Sequence, residues 1–302
     1  MKISFITTVL NEEKTIDLLL DSLLLQTEKP EEIIIVDGGS KDKTPEKLEI
    51  RKEELVKQGI EVKILFKKGN RAVGRNEAVR QATGEVIALT DAGCELDRNF
   101  LKQITDPFGN PEVEVVAGYY KAKTKTVFEK CVVPFVLVMP DKLKPESFLP
   151  SSRSMAIKRN LFLKLGGFPE ECSDNEDYVF AQRLVKKGIK IHFAKNALVY
   201  WLPRTNLFSF FLMIYRFARG DSQAGLRRKK VLTVYLRYLL GVICLVFPFL
   251  IFAYFLWSIK KNYRYVKHWL AFLYLPLLQI TADLAVMTGS LRGFFKKRVK
   301  LS

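Results

Sequence analysis

The amino-acid sequence predicts an α/β fold in which helices flank a mainly parallel mixed sheet, followed by an interfacial helix and a two-span transmembrane hairpin. Three observations support this prediction. From residue 2 onward, short apolar runs alternate with amphipathic stretches, the pattern of βαβ units. Each run ends at a polar or glycine-rich turn, as in open sheets that bind ligands at the carboxyl ends of their strands. The last quarter of the chain contains two long apolar stretches.

The alternation gives the elements in order. The predicted strands are apolar runs of four to seven residues: Ile3–Val9, Ile33–Val36, Glu61–Phe66, Glu85–Thr90, Glu114–Tyr120 and Ser154–Ile157. The predicted helices are the amphipathic stretches Glu13–Gln26, Lys43–Lys57, Ala72–Ala82, a helix that ends near Leu165, and Tyr178–Lys187. We expect Gly166-Gly167 to form the C-cap of the helix before it. The basic and apolar segment 121–144 is interpreted as an insertion or acceptor-side loop.

The C-terminal region has the length and composition of membrane helices. Tyr238–Ser258 contains no charge, and Trp269–Leu291 contains only Asp283. Both can cross a hydrocarbon core of roughly 30 Å, whereas buried core helices, the alternative, rarely run so long without charge. We interpret Asp283 as a helix-packing residue or a functional group. The short apolar run Leu207–Tyr215 is expected to lie on the membrane surface.

Charge is distributed unevenly along the chain. The formal net charge is +17, of which residues 1–204 contribute +3 and residues 205–302 contribute +14. Basic residues that flank apolar spans usually meet anionic lipid headgroups, so we expect a membrane partner and no nucleic acid. The basic residues outside the two spans favour a multi-pass protein of the cell membrane with both chain ends cytoplasmic. The predicted units are a catalytic domain (1–204), an interfacial basic segment (205–230) and a membrane hairpin with a basic tail (231–302).

The cysteines and the N-terminal segment bear on the compartment. The four cysteines have neither paired spacing nor a metal-binding pattern, which fits a reducing cytosol. The apolar run Ile3–Val9 is too short for a signal peptide and leads directly into Asn11-Glu12-Glu13. We therefore expect the N-terminal part to remain cytoplasmic.

Two acidic motifs carry the chemistry. Asp91 follows a buried strand, and Glu176-Asp177 opens a helix. Together they suggest one carboxylate that helps to bind a charged donor substrate and another that accepts a proton. As isolated features, Glu176-Asp177 also fits an acidic helix N-terminus, and Asp37 before two glycines also fits a turn.

A series of motifs in residues 2–204 resembles the family 2 glycosyltransferases. The motifs are Thr7-Thr8-Val9-Leu10-Asn11-Glu12-Glu13, Ile34-Ile35-Val36-Asp37-Gly38-Gly39-Ser40-Lys41-Asp42-Lys43-Thr44, Gly74-Arg75-Asn76-Glu77-Ala78, Gly84-Glu85-Val86-Ile87-Ala88-Leu89-Thr90-Asp91, Gly166-Gly167-Phe168 and Glu176-Asp177. The resemblance implies a GT-A fold and a nucleotide-sugar donor that is UDP- or GDP-linked. It also implies inversion at the anomeric carbon.

The resemblance also implies roles for individual residues. Glu12 and Asp37 would bind the base or ribose of the donor, and Arg75 and Asn76 would meet its diphosphate. Asp177, with Glu176 beside it, would be the general base. Arg216 and Arg219 resemble a shortened form of the basic motif that precedes the membrane helices of the family's synthases. These two arginines could contact a phosphate or anchor to lipid headgroups, and both interpretations stay open.

The resemblance also implies a metal site, but the residues at this site depart from the family's usual pattern. Asp91 matches the first carboxylate of the metal-binding motif, but Gly93 stands at the second position and Trp201 where a late histidine is usual. Mg²⁺ or Mn²⁺ would then be held by Asp91, diphosphate oxygens and water, with Glu95 as a possible helper. We interpret His192 as structural.

These features predict a membrane-associated inverting glycosyltransferase that acts on a lipid-linked, glycolipid or other membrane-presented acceptor. The alternatives are a subunit of a polysaccharide synthase, which would need more spans, and a non-catalytic membrane-anchored binding protein. Residue types do not identify the sugar, the nucleobase, the acceptor, the processivity or the oligomeric state.

Overall fold

The computed structural model describes residues 1–172, 174–226, 229–241 and 249–295. The side chains of residues 229, 230, 240, 241, 249 and 250 are outside this description. Several predictions therefore fall outside the described residues: those for Arg227, Arg228 and Cys244, for residues 242–248 of the first apolar stretch, and for the basic tail 296–302.

Eight strands form one mixed sheet. They are β1 (Ile3–Val9), β2 (Glu32–Asp37), β3 (Glu61–Phe66), β4 (Val86–Leu89), β5 (Cys94–Leu96), β6 (Val115–Ala122), β7 (Met155–Lys158) and β8 (Ile191–Trp201). Their order across the sheet is β3-β2-β1-β4-β7-β6-β8-β5. The four strands β1 to β4 run parallel, β7 is antiparallel to both of its neighbours, β6 and β8 are parallel, and β5 is antiparallel to β8. The predicted mixed, mainly parallel sheet is confirmed.

Helices cover the sheet and continue beyond it. They are α1 (Ile16–Leu24), α2 (Thr44–Lys57), α3 (Arg71–Gln81), α4 (Phe100–Thr105), α5 (Val127–Val136), α6 (Arg159–Lys164), α7 (Glu176–Lys186), α8 (Leu207–Gln223), α9 (Lys229–Gly241), α10 (Phe249–Val266) and α11 (Ala271–Phe294).

The central strands are apolar because both of their faces are covered. Along β1, Phe5 belongs to one apolar cluster and its neighbour Ile6 to the other, since successive strand side chains point to opposite faces. The same alternation separates Ile33 from Ile34 on β2. This two-sided burial explains the continuous apolar runs of the sequence.

The N-terminal elements agree with the predictions to within a few residues. The predicted glycine C-cap is also confirmed: α6 ends at Lys164, and Gly166 and Gly167 follow with φ of 78° and 69°. The region 121–144 was interpreted only as a loop, but it contains helix α5, which begins with a capping box formed by Thr126 and Glu129. Two short elements, β5 and α4, were not predicted because each has six residues or fewer.

The C-terminal region differs from its prediction in three ways. First, α8 extends to Gln223 instead of ending at Tyr215, because Ala218 and Asp221 continue its buried face. Second, α10 extends past Ser258 to Val266, so the charged segment expected as a linker is largely helical. Third, within the described ranges only α11 is long and apolar enough to cross a membrane. The second predicted span thus has a counterpart, whereas part of the first lies outside the described residues.

Helix α8 is not an isolated surface helix. Its residues Phe210, Met213 and Ile214 are buried, and they belong to the same apolar cluster as Leu275 and Leu278 of α11. The structure thus shows that one face of α8 packs against α11, and the expected position of this helix on the membrane surface stays a prediction. Both helices join the core beneath the sheet.

Candidate active site

The predicted acidic residues meet in one cleft of about 450 Å³. Asp91 follows β4, whereas Glu176 and Asp177 form the first turn of α7. The segment before β7 supplies Ser152 and Arg153 to the same cleft. The fold thus joins two motifs that are far apart in sequence, at the carboxyl ends of the strands.

Ser152 connects the two acidic motifs. Its backbone N–H donates to Asp177 Oδ2 at 3.1 Å, and its hydroxyl lies 3.2 Å from the same oxygen and 3.1 Å from Asp91 Oδ1. The hydroxyl has a single proton, so it donates to one carboxylate at a time. Ser152 is 4% exposed, which keeps this contact out of bulk water. Sequence reasoning missed Ser152 because no recognised motif surrounds it.

Arg75 lies behind the carboxylates. Its Nη1 donates to Glu176 Oε1 at 2.5 Å and its Nη2 to Asp91 Oδ1 at 2.6 Å. The side chain is 2% exposed, and the negative charges of Asp91 and Glu176 raise the pKa of the guanidinium despite its desolvation. Arg75 is thus an internal counter-ion of the site, and its predicted contact with a diphosphate stays a prediction.

Asn76 holds a turn and does not reach the cleft. Its Nδ2 donates to the carbonyl of Phe168 at 2.8 Å, and its Oδ1 accepts from the N–H of Phe168 at 2.9 Å. A further bond joins Nδ2 to Glu170 Oε1 at 2.9 Å. Both the oxygen and the nitrogen of the amide are thus engaged in structural hydrogen bonds, and the predicted contact with the donor stays a prediction.

The acidic residues differ in their electrostatic environments. Burial tends to raise the pKa of Asp91, but the charges of Arg75 and Arg153 outweigh it and the pKa is lowered. Asp177 has a raised pKa, chiefly because of burial and then because of the neighbouring charge of Glu176. Asp91 therefore stays ionised, and Asp177 is the stronger base of the two.

An unusual backbone conformation precedes Glu176 and Asp177. Asn175 has φ of 58°, in the left-handed region that asparagine tolerates better than most residues. Its Nδ2 donates to the carbonyl of Phe217 at 2.8 Å and to Asp221 Oδ1 at 2.9 Å. Helix α8 thus fixes the turn that presents the acidic pair.

Glu12 and Asp37, the predicted donor-binding residues, lie after β1 and at the end of β2. Asp37 Oδ1 accepts from the N–H groups of Gly39 and Ser40 at 2.8 and 2.7 Å, so its role in the turn is confirmed. Glu12 accepts a hydrogen bond from the hydroxyl of Thr15. Burial, the largest cause, raises the pKa of Glu12. Their contact with a base or ribose stays a prediction.

Arg153 is held in place by two aromatic rings. Its guanidinium carbon lies 5.5 Å from the ring centre of Tyr120 and 5.1 Å from that of Trp201, within the range of cation–π contacts. Its Nε is 3.9 Å from Asp91 Oδ2. Sequence reasoning did not select Arg153, since its neighbours come together only in the fold.

Other arginines are near Arg153. Arg71 lines the cleft, and the charges of Arg71, Arg153 and Arg216 all act on Arg204. The pKa of Arg204 is lowered, first by desolvation and then by these like charges, although Glu12 opposes them. Repulsion of this kind favours the binding of an anion.

The two arginines predicted on α8 have different surroundings. Arg219 donates to Asp174 Oδ2 from Nε at 3.1 Å and from Nη2 at 2.5 Å, and Asp174 is 3% exposed. Its partner in the structure is therefore a buried carboxylate of the protein, and its predicted contact with a phosphate or a lipid headgroup stays a prediction. Arg216 is exposed, and its predicted contacts stay open.

The residues near Asp91 do not form a protein-built metal site. Within residues 1–172, 174–226, 229–241 and 249–295, no group of three or more His, Cys, Asp or Glu is arranged to hold a metal ion. Glu95, the predicted helper, forms an ion pair of 2.5 Å with Lys123. His192 is exposed on β8, opposite Val116. Of the two carboxylates predicted to bind Mg²⁺ or Mn²⁺, Asp91 lines the cleft and Glu95 is not among its lining residues.

Another part of the cleft lining combines apolar side chains with two lysines. It consists of Val136, Val138, Lys142, Lys144, Phe148, Leu149 and Phe217. Except for Phe217 of α8, these residues belong to segment 136–149, which is attached to the end of α10 because Asp141 accepts hydrogen bonds from Arg264 and from Tyr265, the latter at 2.8 Å. This part of the lining suits a ligand with both an apolar and an anionic part.

Two family models match the chain. Residues 4–161 match the model described as glycosyl transferase family 2, and residues 86–284 match glycosyl transferase family group 2. The O-antigen chain rhamnosyltransferase RfbN of Salmonella typhimurium is 26% identical over 213 residues, which cover 66% of each chain. Glycosyltransferase AglE of Haloferax volcanii is 23% identical over 207 residues, covering 65% of each. The chain thus spans just under two thirds of the length of these curated relatives.

Solved structures share the fold. Mannosyltransferase PcManGT from Pyrobaculum calidifontis, in complex with GDP-Man and Mn²⁺, gives a TM-score of 0.62 at 18% identity, covering 97% of this chain and 87% of that one. S. aureus TarS 1–349, in complex with UDP-GlcNAc, gives a TM-score of 0.55 at 21% identity, covering 96% and 91%. At these identities the likeness establishes the fold alone.

Proposed function

The chain belongs to glycosyl transferase family 2, and on that premise we propose that it is an inverting transferase acting at a membrane surface. It moves one sugar from a nucleotide-sugar, UDP- or GDP-linked, onto a lipid-linked or other membrane-presented acceptor. The observation that carries this proposal is the position of Asp177. It accepts hydrogen bonds from Ser152, whose hydroxyl also lies 3.1 Å from Asp91 Oδ1, in a cleft that is lined as well by apolar and basic side chains.

Asp177 is the general base of the proposed reaction. An acceptor hydroxyl is a poor nucleophile at neutral pH, so a carboxylate within hydrogen-bonding reach must accept its proton as the anomeric bond breaks. Burial and the charge of Glu176 raise the pKa of Asp177, which makes it a better proton acceptor than an ordinary aspartate. Arg75 neutralises part of the charge that Glu176 and Asp91 bring to the site. If the acceptor is an ionised phosphate, Asp177 positions it instead.

The leaving group is a nucleoside diphosphate, and cations must offset the charge that it gains. Arg153 and Arg71 line the cleft on that side. The donors GDP-Man and UDP-GlcNAc in the complexes of similar structures support a GDP- or UDP-linked sugar. Asp91 is the residue that would hold a divalent cation entering with the donor, and such a cation would help to offset the charge of the diphosphate.

The acceptor is proposed to approach from the membrane side. The apolar side chains Val136, Val138 and Phe148 suit the first part of a lipid chain, and Lys142 and Lys144 suit a phosphate or diphosphate. A lipid-linked phosphate combines both chemistries. The contacts of Asp141 with Arg264 and Tyr265 connect this part of the cleft lining to α10, next to the apolar helix α11.

The proposed membrane arrangement is a two-span hairpin with the catalytic part on the cytoplasmic side. Helix α11 supplies one span by length and composition. The other span would include residues 242–248 and α10. Of these, residues 242–248 lie outside the described part of the chain. Basic residues before and after the pair favour this orientation.

The test is a donor screen on the full-length protein in detergent. UDP- and GDP-sugars are supplied with membrane lipid extract and with Mg²⁺, Mn²⁺ or EDTA, and the released nucleoside diphosphate is measured. We expect one donor to be turned over and Asp177→Asn to lower that turnover by roughly 10²–10⁴-fold. Asp17→Asn, which removes a surface carboxylate paired with Lys47, is the matched control and should change little. An absence of turnover with every donor, or full activity in Asp177→Asn, would refute the proposal.

A further inference from the structure

The carboxylate that would hold a metal already faces cations. Asp91 Oδ1 accepts from Arg75 at 2.6 Å, and its Oδ2 lies 3.9 Å from Arg153 Nε. A divalent cation bound to Asp91 would have to approach both guanidinium groups, which repel it. The neighbouring carboxylate of Glu95 is occupied by Lys123. The negative charge at this wall of the cleft is thus largely matched by the protein's own arginines.

Arg153 has the features of a preorganised anion-binding residue. The rings of Tyr120 and Trp201 fix its guanidinium, and its side chain is 17% exposed while still lining the cleft. A guanidinium presents planar N–H groups that match phosphate oxygens. Because the rings already restrict it, little side-chain entropy is lost when an anion binds.

Three more arginines surround the same region. The charges of Arg71, Arg153 and Arg216 act on Arg204, as described above. The acidic groups among them are Glu12, Asp91, Glu176 and Asp174, because Arg71 lies 3.8 Å from Glu176 Oε1 and 4.0 Å from Asp174 Oδ1. We refer to Arg71, Arg153, Arg204 and Arg216 as the arginine cluster. A group of like charges gains most from a ligand with several negative oxygens.

We propose that the arginine cluster binds the donor's diphosphate without a divalent cation, with Arg153 beside Asp91 supplying the positive charge that a metal ion would otherwise supply. This inference rests on the proposed function, since it presumes a nucleoside diphosphate in the cleft. When the bond from the anomeric carbon to the diphosphate oxygen breaks, the electron pair stays on that oxygen. The cluster then stabilises the resulting charge.

The first experiment measures the binding of UDP and GDP to the full-length protein in detergent by calorimetry, at constant ionic strength, in EDTA and in Mn²⁺. We expect one of the two nucleotides to bind with a Kd in EDTA within about threefold of that in Mn²⁺. Arg153→Met should weaken binding in EDTA by about tenfold or more, as expected for the loss of charge-assisted hydrogen bonds. Arg80→Met is the matched control, because Arg80 is an exposed arginine paired with Glu77 on the surface of α3, and it should leave the Kd unchanged.

A second variant tests the same inference by adding the missing carboxylate. A Cβ atom at Gly93 would meet no heavy atom within 4 Å, so a side chain fits there. Gly93→Asp should make binding dependent on the cation, with affinity in Mn²⁺ at least about tenfold higher than in EDTA. Gly93→Asn adds the same bulk without the charge and should keep the wild-type ratio.

The outcomes separate this inference from the proposed function. Wild-type binding that disappears in EDTA and returns with Mn²⁺ would overturn the role of the arginine cluster while leaving the transferase proposal intact. Unchanged binding in Arg153→Met would also overturn it. If neither nucleotide binds under any condition, the proposed function fails and the inference fails with it.

Discussion

The guanidinium of Arg75 contacts two acidic side chains at once, and this contact lets three carboxylates share one small cleft. Glu176 and Asp91 each accept one of its N–H groups, while Asp177 is bonded to Ser152. Buried carboxylates without such a partner would take up protons instead of remaining charged. Arg75 therefore contributes to the site by neutralising part of the negative charge of Glu176 and Asp91.

Replacement of Arg75 should affect folding stability before it affects substrate affinity. Arg75→Met leaves Glu176 and Asp91 without their counter-ion, and breaking a buried pair in this way costs roughly 3–5 kcal/mol. The measurement is the urea midpoint of the full-length protein in detergent. Arg80→Met breaks an exposed pair, so it should cost less than about 1 kcal/mol. Equal midpoints for the two variants would contradict the buried counter-ion role.

The raised pKa of Asp177 predicts how activity depends on pH. A base acts only when it is deprotonated, so kcat/KM should fall as pH drops through this pKa, at a higher pH than for an ordinary aspartate. Glu176→Gln removes one of the charges that raise this pKa, and Arg75 continues to lower it. The acidic limb of the profile should therefore move to lower pH, whereas Glu77→Gln on the surface should leave it in place. A limb that stays fixed in Glu176→Gln would indicate that another group is titrating.

At the scale of elements, the close packing of α8 and α11 positions the acidic turn. Gly289 and Gly293 lie one helical turn apart on α11, and a Cβ at these positions would collide with the backbone carbonyls of Tyr215 and Arg219 on α8. Small residues at this spacing let two helix backbones approach closely. The carbonyl of Phe217 on α8 in turn accepts a hydrogen bond from the side chain of Asn175, the residue before Glu176. The interface between α8 and α11 is thus linked through Asn175 to the turn that presents Glu176 and Asp177.

A bulky residue at this interface should separate the two helices. Gly289→Leu adds a side chain where none fits, and overpacking of this kind costs about 1–3 kcal/mol or more. Thermal unfolding in detergent should show a lower Tm, together with reduced donor turnover because α8 no longer supports Asn175. Thr288→Leu adds similar bulk on the exposed face of α11 and serves as the control. A Gly289→Leu protein as stable as the control would mean that α11 does not pack here.

On the scale of the whole molecule, α11 has one face in the protein core and another that is apolar and uncovered. The core face includes Leu275 and Leu278, which are fully buried. The uncovered face carries Phe272, Leu273, Leu277, Leu284 and Leu291, each at least 39% exposed. Soluble monomeric proteins rarely leave such a continuous apolar surface in water. Contact with lipid, as proposed above, would cover this surface.

The membrane role of α11 can be tested by fractionation. The wild-type protein should remain with the membranes after an alkaline carbonate wash. Leu277→Lys together with Leu284→Lys should prevent stable insertion, because a lysine near the centre of a membrane helix costs roughly 2.5–3.5 kcal/mol. Ile50→Lys with Val56→Lys adds the same charge at exposed positions of α2 and should not alter fractionation. Wild-type protein in the wash supernatant would refute the membrane assignment.

Much of the fold was predictable because its signals are local. The order of β1 to β4 and α1 to α3 follows from apolar runs buried on both sides and from polar turns between them. Short elements such as β5 escaped prediction, since three residues carry too little pattern. Helix α8 was placed correctly at its start but not at its end, because the burial of Ala218 and Asp221 depends on α11 and α7.

The sequence by itself determined the α/β class, the family motifs, the apolar C-terminal helix and the identity of the two acidic motifs, because periodicity and short motifs are properties of neighbouring residues. Only the tertiary structure decided which side chains face the cleft. It bonded Asn76 to Phe168 and Arg219 to Asp174, buried Arg75 as a counter-ion, and brought Ser152 and Arg153 to Asp91. The physical reason is that charge, burial and hydrogen bonding in the cleft depend on contacts between residues that are distant in sequence, such as Ser152 and Asp91, which lie 61 positions apart.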